Sequence, residues 1–453
     1  MNARRLLLLT GLSAVLVLAG ADAARACSCA DIDPRDRLEE GYPAMSGRVV
    51  EATHDDPPGS ATYVVEVERA LNVRLGDRVE ISAGLSEAGC GFRWREGRRV
   101  AAFIHRARGG RWTSNLCSLT TPGELVRATE PYPRPLGRGR VALLAGGSFG
   151  DARLMALDER GRILGYGFGE GSVRRLSVCP GGGAAAELVD RGPSRSFVVV
   201  RSLESLRVLS AAAVPRHTSD LTCAGDGGAT VYAGGIDYGR RGNGRAEVFR
   251  IAGSSRSRVL ARPADQLALG PGSAYLAAGS RVLAASLPDG GTRAVLTGQV
   301  AHQLVPSPDG GRLAVLDFDR GVWIVDTATG GVSSRPLRPW ALGWIAPDRL
   351  LVRVNRAALT FDAAMRPQRR YGGYAAVHHA ALGDALFGMD RYRLLRLDLT
   401  TGAVRTARRL PDRGIAELVA VPGGPELEVP RRAPTAIRPA AAVAGSGPLC
   451  PLP

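Results

Sequence analysis

Leu304-Val305-Pro306-Ser307-Pro308-Asp309-Gly310-Gly311, answered by Trp323-Ile324-Val325-Asp326-Thr327-Ala328-Thr329-Gly330, decides the fold. An apolar strand runs into Ser-Pro-Asp-Gly, where Pro and Gly supply the dihedral angles of a tight turn. A second strand over 312–316 returns, and a third ends at Asp326, whose carboxylate can hold the turn amides before Gly330 releases a fourth. One unit is therefore a four-stranded antiparallel meander of about 40 residues.

Looser copies of the first phrase begin at Leu176, Leu221, Leu267, Gly343, Ala380 and Leu418, so the anchors recur at intervals of 45, 46, 37, 39, 37 and 38 residues. The second phrase recurs from Leu395 to Gly402 and, more loosely, from Leu157 to Gly161. A repeat of this length and strand number is the size of a propeller blade. Ahead of the first anchor stand three strands at 140–145, 152–157 and 162–166, and after the last full unit a lone apolar strand at 417–421. Placing that strand in the first blade satisfies both and closes a ring of seven blades, with six and eight the neighbouring counts. The phrases resemble those of Ser-Pro-Asp-Gly-type β-propellers of exported bacterial proteins. That resemblance covers 138–427 and implies a fold without implying a function.

Working outward to the amino end, residues 1–26 have the parts of a secretory signal. Arg4 and Arg5 precede an apolar run over 6–19, too short for a membrane span, and Ala24-Arg25-Ala26 forms an A-x-A cleavage site. The mature chain is expected to begin at Cys27 and to be exported, extracellular or in the cell envelope; a lipobox and a twin-arginine signal match less well. Only 5% of residues are aromatic while 58 are Gly and 29 Pro, which favours turns and short strands over helices. The formal charge is +16, or +14 without Arg4, Arg5, Asp22 and Arg25, and every basic side chain is arginine. The arginines read as scattered, a solvated basic surface with anionic envelope polymers as the functional alternative. Export argues against a nucleic-acid partner.

Between Cys27 and Thr129 lie four cysteines, Cys27, Cys29, Cys90 and Cys117, an even set that reads as a disulfide framework with three pairings open. Five short runs at 45–52, 62–70, 77–82, 100–105 and 111–116 read as strands of a small barrel, and 118–127 as one helix. Cys27-Ser28-Cys29, Ser46-Gly47-Arg48-Val49-Val50, Tyr63-Val64-Val65-Glu66-Val67, Gly89-Cys90-Gly91-Phe92 and Trp112-Thr113-Ser114-Asn115-Leu116-Cys117 occur in that order. This ordered set resembles bacterial netrin-like domains, the fold of the tissue inhibitors of metalloproteinases, an oligomer-binding-type five-stranded barrel. The resemblance implies bridges Cys27–Cys90 and Cys29–Cys117. It also implies an inhibitory edge in which the amino group of Cys27 chelates a protease zinc and Ser28 enters the specificity pocket. The run Ala30-Asp31-Ile32-Asp33-Pro34 lacks the continuation of such an edge, and a shared fold does not carry its function with it.

Residues 130–137 are a Pro-rich linker, and 428–453 a Pro/Ala-rich tail read as disordered, with Cys450 left over. Cys179 and Cys223 fall at nearly equivalent places in consecutive blades, where a bridge depends on close Cα approach. No HExxH, P-loop or G-x-S-x-G motif occurs. His54, His105, His217, His302, His378 and His379 read as surface or edge histidines, and neighbours such as His378 and His379 point to opposite strand faces. Asp317, Asp319 and Arg320, like Asp31, Asp33 and Asp36, read as turn residues rather than calcium ligands, and Trp340 and Trp344 as core. No cofactor or resident metal is expected. The expected protein is all-β and non-enzymatic, and it binds or scaffolds an unknown protein or an anionic polymer. The alternatives are a metalloprotease inhibitor and a propeller-based enzyme.

Overall fold

The computed structural model describes residues 33–434 apart from 55–58, 86–90, 108, 150, 193–194, 226–228, 240–243, 288, 355–356, 375, 377, 391–392 and 411–414. The segment read as an export signal, Cys27, Ser28, Cys29, Asp31, Cys90, the tail beyond 434 and Cys450 lie outside the described residues. The chain divides into two compact units between Glu130 and Pro131.

In the first unit α1 (Pro34–Glu39) precedes β1 (Ala44–His54), β2 (Ser60–Leu71), β3 (Arg78–Gly84), β4 (Arg99–Phe103), β5 (His105–Arg106), β6 (Trp112–Thr113) and β7 (Leu119–Thr120). They form one sheet in the order β5-β6-β3-β2-β1-β4-β7, antiparallel except between β3 and β6. Bulges at Ser46/Gly47 and Val49/Glu51 bend β1 against β2. At Gly47 a Cβ would overlap the Glu66 carbonyl oxygen, so only glycine permits that approach. The curved sheet, a half-barrel, wraps Met45, Val49, Tyr63, Val65, Ile81, Ala102 and Ile104. Tyr63 keeps its hydroxyl satisfied there, donating to the Phe92 carbonyl and accepting from the Trp94 amide at 3.2 Å each.

The strand expected over 111–116 shrinks to Trp112–Thr113, because Asn115 and Ser118 bond to each other (3.0 Å) across a single 3-10 turn. The expected helix is α2 (Pro122–Ala128), with Pro at its start and a reciprocal capping box between Thr121 and Glu124 (3.1 Å each way). α1 is not among the expected elements: its one local cue is Asp33 ahead of Pro34, and Pro-Arg-Asp-Arg-Leu-Glu offers Leu38 as its one apolar contact. Asp33 starts it by accepting the Arg35 amide (2.8 Å), and Leu38 packs with Phe103, Leu125 and Ala128.

The second unit is a seven-bladed β-propeller. It opens with β8 (Arg138–Arg140), then β9 (Leu143–Phe149), β10 (Ala152–Leu157) and β11 (Ile163–Phe168). Blade two runs from β12 (Ser172–Val178) to β15 (Val208–Val214), blade three from β16 (Thr218–Cys223) to β19 (Ser255–Pro263), and blade four from β20 (Gln266–Gly270) to β23 (Thr292–Thr297). Blade five runs from β24 (Gln303–Pro306) to β27 (Val332–Arg335), blade six from β28 (Ala341–Ala346) to β31 (Pro367–Gly372), and blade seven from β32 (His379–Leu382) to β35 (Val404–Arg409). Blade one takes its innermost strand from the far end of the chain: β36 (Ile415–Ala420) pairs antiparallel with β9, Leu418 opposite Ala145. The inner strands β36, β12, β16, β20, β24, β28 and β32 touch in that order and return to β36, which closes the ring.

Apolar side chains fill the seams between blades. At the closure, Leu143, Met155 and Leu157 of blade one and Leu418 of β36 pack with Phe387, Met389 and Leu394 of blade seven. The seam between blades one and two also holds a buried charged triad, in which Arg153 (2.9 Å) and Arg201 (2.5 Å) flank the carboxylate of Glu187. All three are at most 2% exposed, and the guanidiniums bond onward to the carbonyls of Glu170 (2.9 Å) and Leu206 (2.6 Å). Buried charges persist only when paired and bonded in this way.

The Pro-rich segment is docked on blade one. Leu136 and Gly137 donate to the Ile163 and Leu164 carbonyls (2.9 Å each), and Tyr132 is buried beside Tyr166, whose hydroxyl bonds to Pro133 (3.0 Å). The first residues of the tail are likewise packed: β37 (Glu426–Glu428) pairs with β8, and Arg432 lies over Phe168 while bonding to Asp151 at 2.8 Å.

Candidate functional site

The inner strands carry, one residue before each repeat anchor, Arg175, Asp220, Gln266, Gln303, Leu342, His379 and Glu417. Three of these meet at the propeller axis. Arg175 of blade two donates through Nη1 to Glu417 of blade one at 2.9 Å and through Nε to the Ser219 carbonyl at 3.4 Å, with Asp220 of blade three 3.7 Å away. Asp220 is pinned in turn by the amides of Leu221 (3.0 Å) and of Leu269 in blade four (2.7 Å). Four blades are thus tied by one polar cluster. Its Arg175 side chain is 47% exposed and its carboxylates 19% each.

Removal from bulk water raises the pKa of both Asp220 and Glu417, and Arg175 only partly offsets this. Burial pulls Arg175 down, but the two carboxylates more than compensate and hold it above its ordinary value. His378, just before β32, is lowered by burial and then by the charge of Arg175. Such a cluster can hold a small polar or cationic group and could pass a proton at Glu417. Reading the anchors alone shows mostly Leu, Gly and Ala; the signal is the column of residues before them.

Cys179, four residues on from Arg175 and directly after β12, and Cys223, three residues on from Asp220 at the end of β16, form a disulfide with a Cα–Cα distance of 5.0 Å. It clamps the same two strands that present Arg175 and Asp220. Cys117 is disulfide-bonded too; the pairings expected for it, for Cys27, Cys29 and Cys90 fall on residues outside the described set.

The outer strands carry a second concentration of charge. β11, β15, β19, β23, β27, β31 and β35 contain ten arginines and no Asp or Glu. They are Arg256, Arg258 and Arg262 on β19, Arg293 on β23, Arg335 on β27, Arg369 and Arg370 on β31, and Arg405, Arg408 and Arg409 on β35; all but the half-buried Arg408 are exposed. Arginines also occur on the other strands, but there they are mixed with acids, as Arg174 and Arg175 are with Asp220 and Glu417 on the inner strands; the outer strands differ in carrying no acid. Arg293, Arg335 and Arg369 reach carbonyls of the next blade, those of Thr327, Met365 (3.4 Å) and Leu399 (3.0 Å).

The remaining candidates are structural. Asp317 accepts the amides of Asp319 (2.9 Å) and Arg320 (3.4 Å), a turn, and Asp33 starts α1. His302 lies tilted against Phe318 at 4.9 Å and His54 lies edge-on to Tyr63 at 6.3 Å, while burial lowers the pKa of His105. Trp344 is partly buried and donates to the Val305 carbonyl (2.8 Å), joining inner strands of blades five and six. Trp340, expected in the core, is 73% exposed: it lies one residue ahead of β28 and outside the apolar seam. Compared with known proteins, the chain matches no protein family and no curated relative.

Proposed function

We propose that this is an exported, non-enzymatic binding protein of the cell envelope or extracellular space whose propeller rim takes an anionic polymer. The reading rests on one observation, the ten arginines carried by five of the seven outer strands, none of which carries an acid. A single exposed ion pair contributes only about 0–1 kcal/mol, so a rim of this kind suits a ligand that repeats its charge along its length. Charged edges also keep blades of different molecules from pairing edge to edge. The Cys179–Cys223 disulfide is compatible with an oxidising compartment, and among the described residues no helix is long and apolar enough to cross a membrane.

The test is binding of the full mature chain to polygalacturonate, with neutral dextran as control, across a salt titration. Binding should weaken steeply as salt screens the rim. A variant with Arg262, Arg370, Arg405 and Arg409 changed to Gln, sparing the arginines that strap neighbouring blades, should lose about tenfold or more, since four contacts of even 0.5 kcal/mol exceed the 1.4 kcal/mol of one decade. Equal binding to dextran, or an unaffected variant, removes the proposal.

A second reading, an enzyme working at the axis, draws on the raised pKa values of Asp220 and Glu417, which suit a general acid. Turnover found in a hydrolase screen and abolished by Glu417→Gln would favour it. The inhibitor reading depends on Cys27 and Ser28, outside the described residues.

A further inference from the structure

Blade three holds a third cluster, separate from the axis. His217 immediately precedes β16, Asp237 ends β17 (Thr230–Asp237), and Glu247 lies near the start of β18 (Arg245–Ala252). The register brings them together: Gly235 of β17 is opposite Thr218 on one side and Glu247 on the other. Asp237, two residues on from Gly235, shares that position's face of the sheet, as does Glu247 directly across from it. A Cβ at Gly235 would overlap the His217 carbonyl oxygen, so the missing side chain lets His217 close on its neighbours. One ligand atom from each of the three residues lies within 4.8 Å of the others.

The contact between His217 and Glu247 is chemically incomplete. The His217 Nε2 is buried and 3.2 Å from the Glu247 carboxylate, yet it forms no well-angled hydrogen bond to it. With its proton on Nδ1, an imidazole sets its Nε2 lone pair against that of the carboxylate oxygen. A shared cation removes that conflict and uses both as donors. The other contacts orient the carboxylates as supporting groups do around metals. Arg258 Nη1 holds one oxygen of Glu247 at 2.9 Å, and the Gly239 amide holds Asp237 at 3.0 Å.

We propose that His217, Asp237 and Glu247 form a binding site for a divalent transition ion of the zinc type. One imidazole nitrogen with two carboxylates suits Zn2+, whereas Ca2+ takes oxygen ligands alone. Three protein donors leave a fourth tetrahedral position for water or a ligand group.

The experiment is calorimetric titration of the disulfide-intact full mature chain with Zn2+, with Ca2+ in parallel, each variant's fold being checked by its circular-dichroism melt. The wild type should bind one Zn2+ per chain, and His217→Ala and Asp237→Asn should each weaken binding by about tenfold or more. His302→Ala serves as control, since His302 also faces a carboxylate, Asp317 at 3.7 Å, and should leave affinity unchanged. Should His217→Ala fail to fold, Asp237→Asn decides alone, because Asp237 is exposed. The Co2+ complex should lack the charge-transfer band of thiolate ligation. No bound Zn2+, equal affinity for Ca2+, unchanged affinity in Asp237→Asn, or a thiolate band would each overturn the site.

Discussion

Asp326 and Asp398 accept pairs of amides from the turns that follow them, Ala328 and Thr329 for one (3.1 and 2.8 Å), Thr400 and Thr401 for the other (2.9 and 2.7 Å). Those bonds hold both carboxyls below their ordinary value, as bonds from Arg366 do for Asp362 and from Ser307 for Asp309. The same chemistry is reversed at the axis, where desolvation raises Asp220 and Glu417. The two sets therefore act on stability with opposite sign. A turn aspartate with a lowered native pKa stabilises the fold above about pH 4, and that contribution disappears as pH falls through the native value. An axial carboxylate with a raised native pKa contributes most below about pH 4 and progressively less as pH climbs through its native value. We expect Glu417→Gln, which fixes the neutral form, to flatten the loss of stability on the neutral side, and Asp326→Asn to reduce the loss on the acid side. Denaturant unfolding from about pH 3 to about pH 8 checks both; profiles parallel to wild type would show that neither group titrates as described. Much of this was legible beforehand at the turns, where Asp326 stands in an explicit phrase. It was not legible at Asp220, whose environment is made by Arg175 and Leu269, 45 and 49 residues away.

At the scale of elements, β12 and β16 are the pair on which the axial cluster depends, and the Cys179–Cys223 bridge spans 44 residues between them. Closing a loop of that length restricts the unfolded chain by about 4 kcal/mol in the chain-entropy account. The double variant Cys179→Ser/Cys223→Ser should lose up to about that much in chemical unfolding. The same variant should loosen Arg175 from Asp220, so a stability equal to wild type would mean that strand pairing alone fixes the two blades. Strand identity was readable because turn chemistry is local: Ser307-Pro308-Asp309-Gly310 makes its turn with bonds among its own residues, Ser307 to Asp309 at 2.6 Å and the Gly311 amide to Asp309 at 3.1 Å. The arginine rim was not readable from linear spacing, because blades of unequal length hide which strand is the fourth. Trp340 shows the same limit from the other side. Its neighbours read as apolar, but nothing local says that β28 begins one residue later.

For the whole molecule, closure through β36 was anticipated from two incomplete pieces, three strands without a fourth and one strand without partners. A chain ending before Ile415 should leave β9 with an open edge along Leu143–Phe149 and strip Leu418 from the seam with Phe387. Size-exclusion chromatography with light scattering should show that truncation as aggregates, and a monomer with an unchanged melting point would count against the closed ring as the source of stability. The α1 helix and the half-barrel's short strands were less accessible, since their pairing joins residues far apart and with little apolar pattern. The closing strand also imposes an order in time. Synthesis runs from the amino end, so β9 is made early and, paired with β10 on one side, must keep its other edge open until β36 has followed. Six blades can be complete before the first is. The slowest event in maturation should then be the meeting of two distant stretches of an almost finished object, and whatever guards the nascent chain must shield one edge for the whole of that wait.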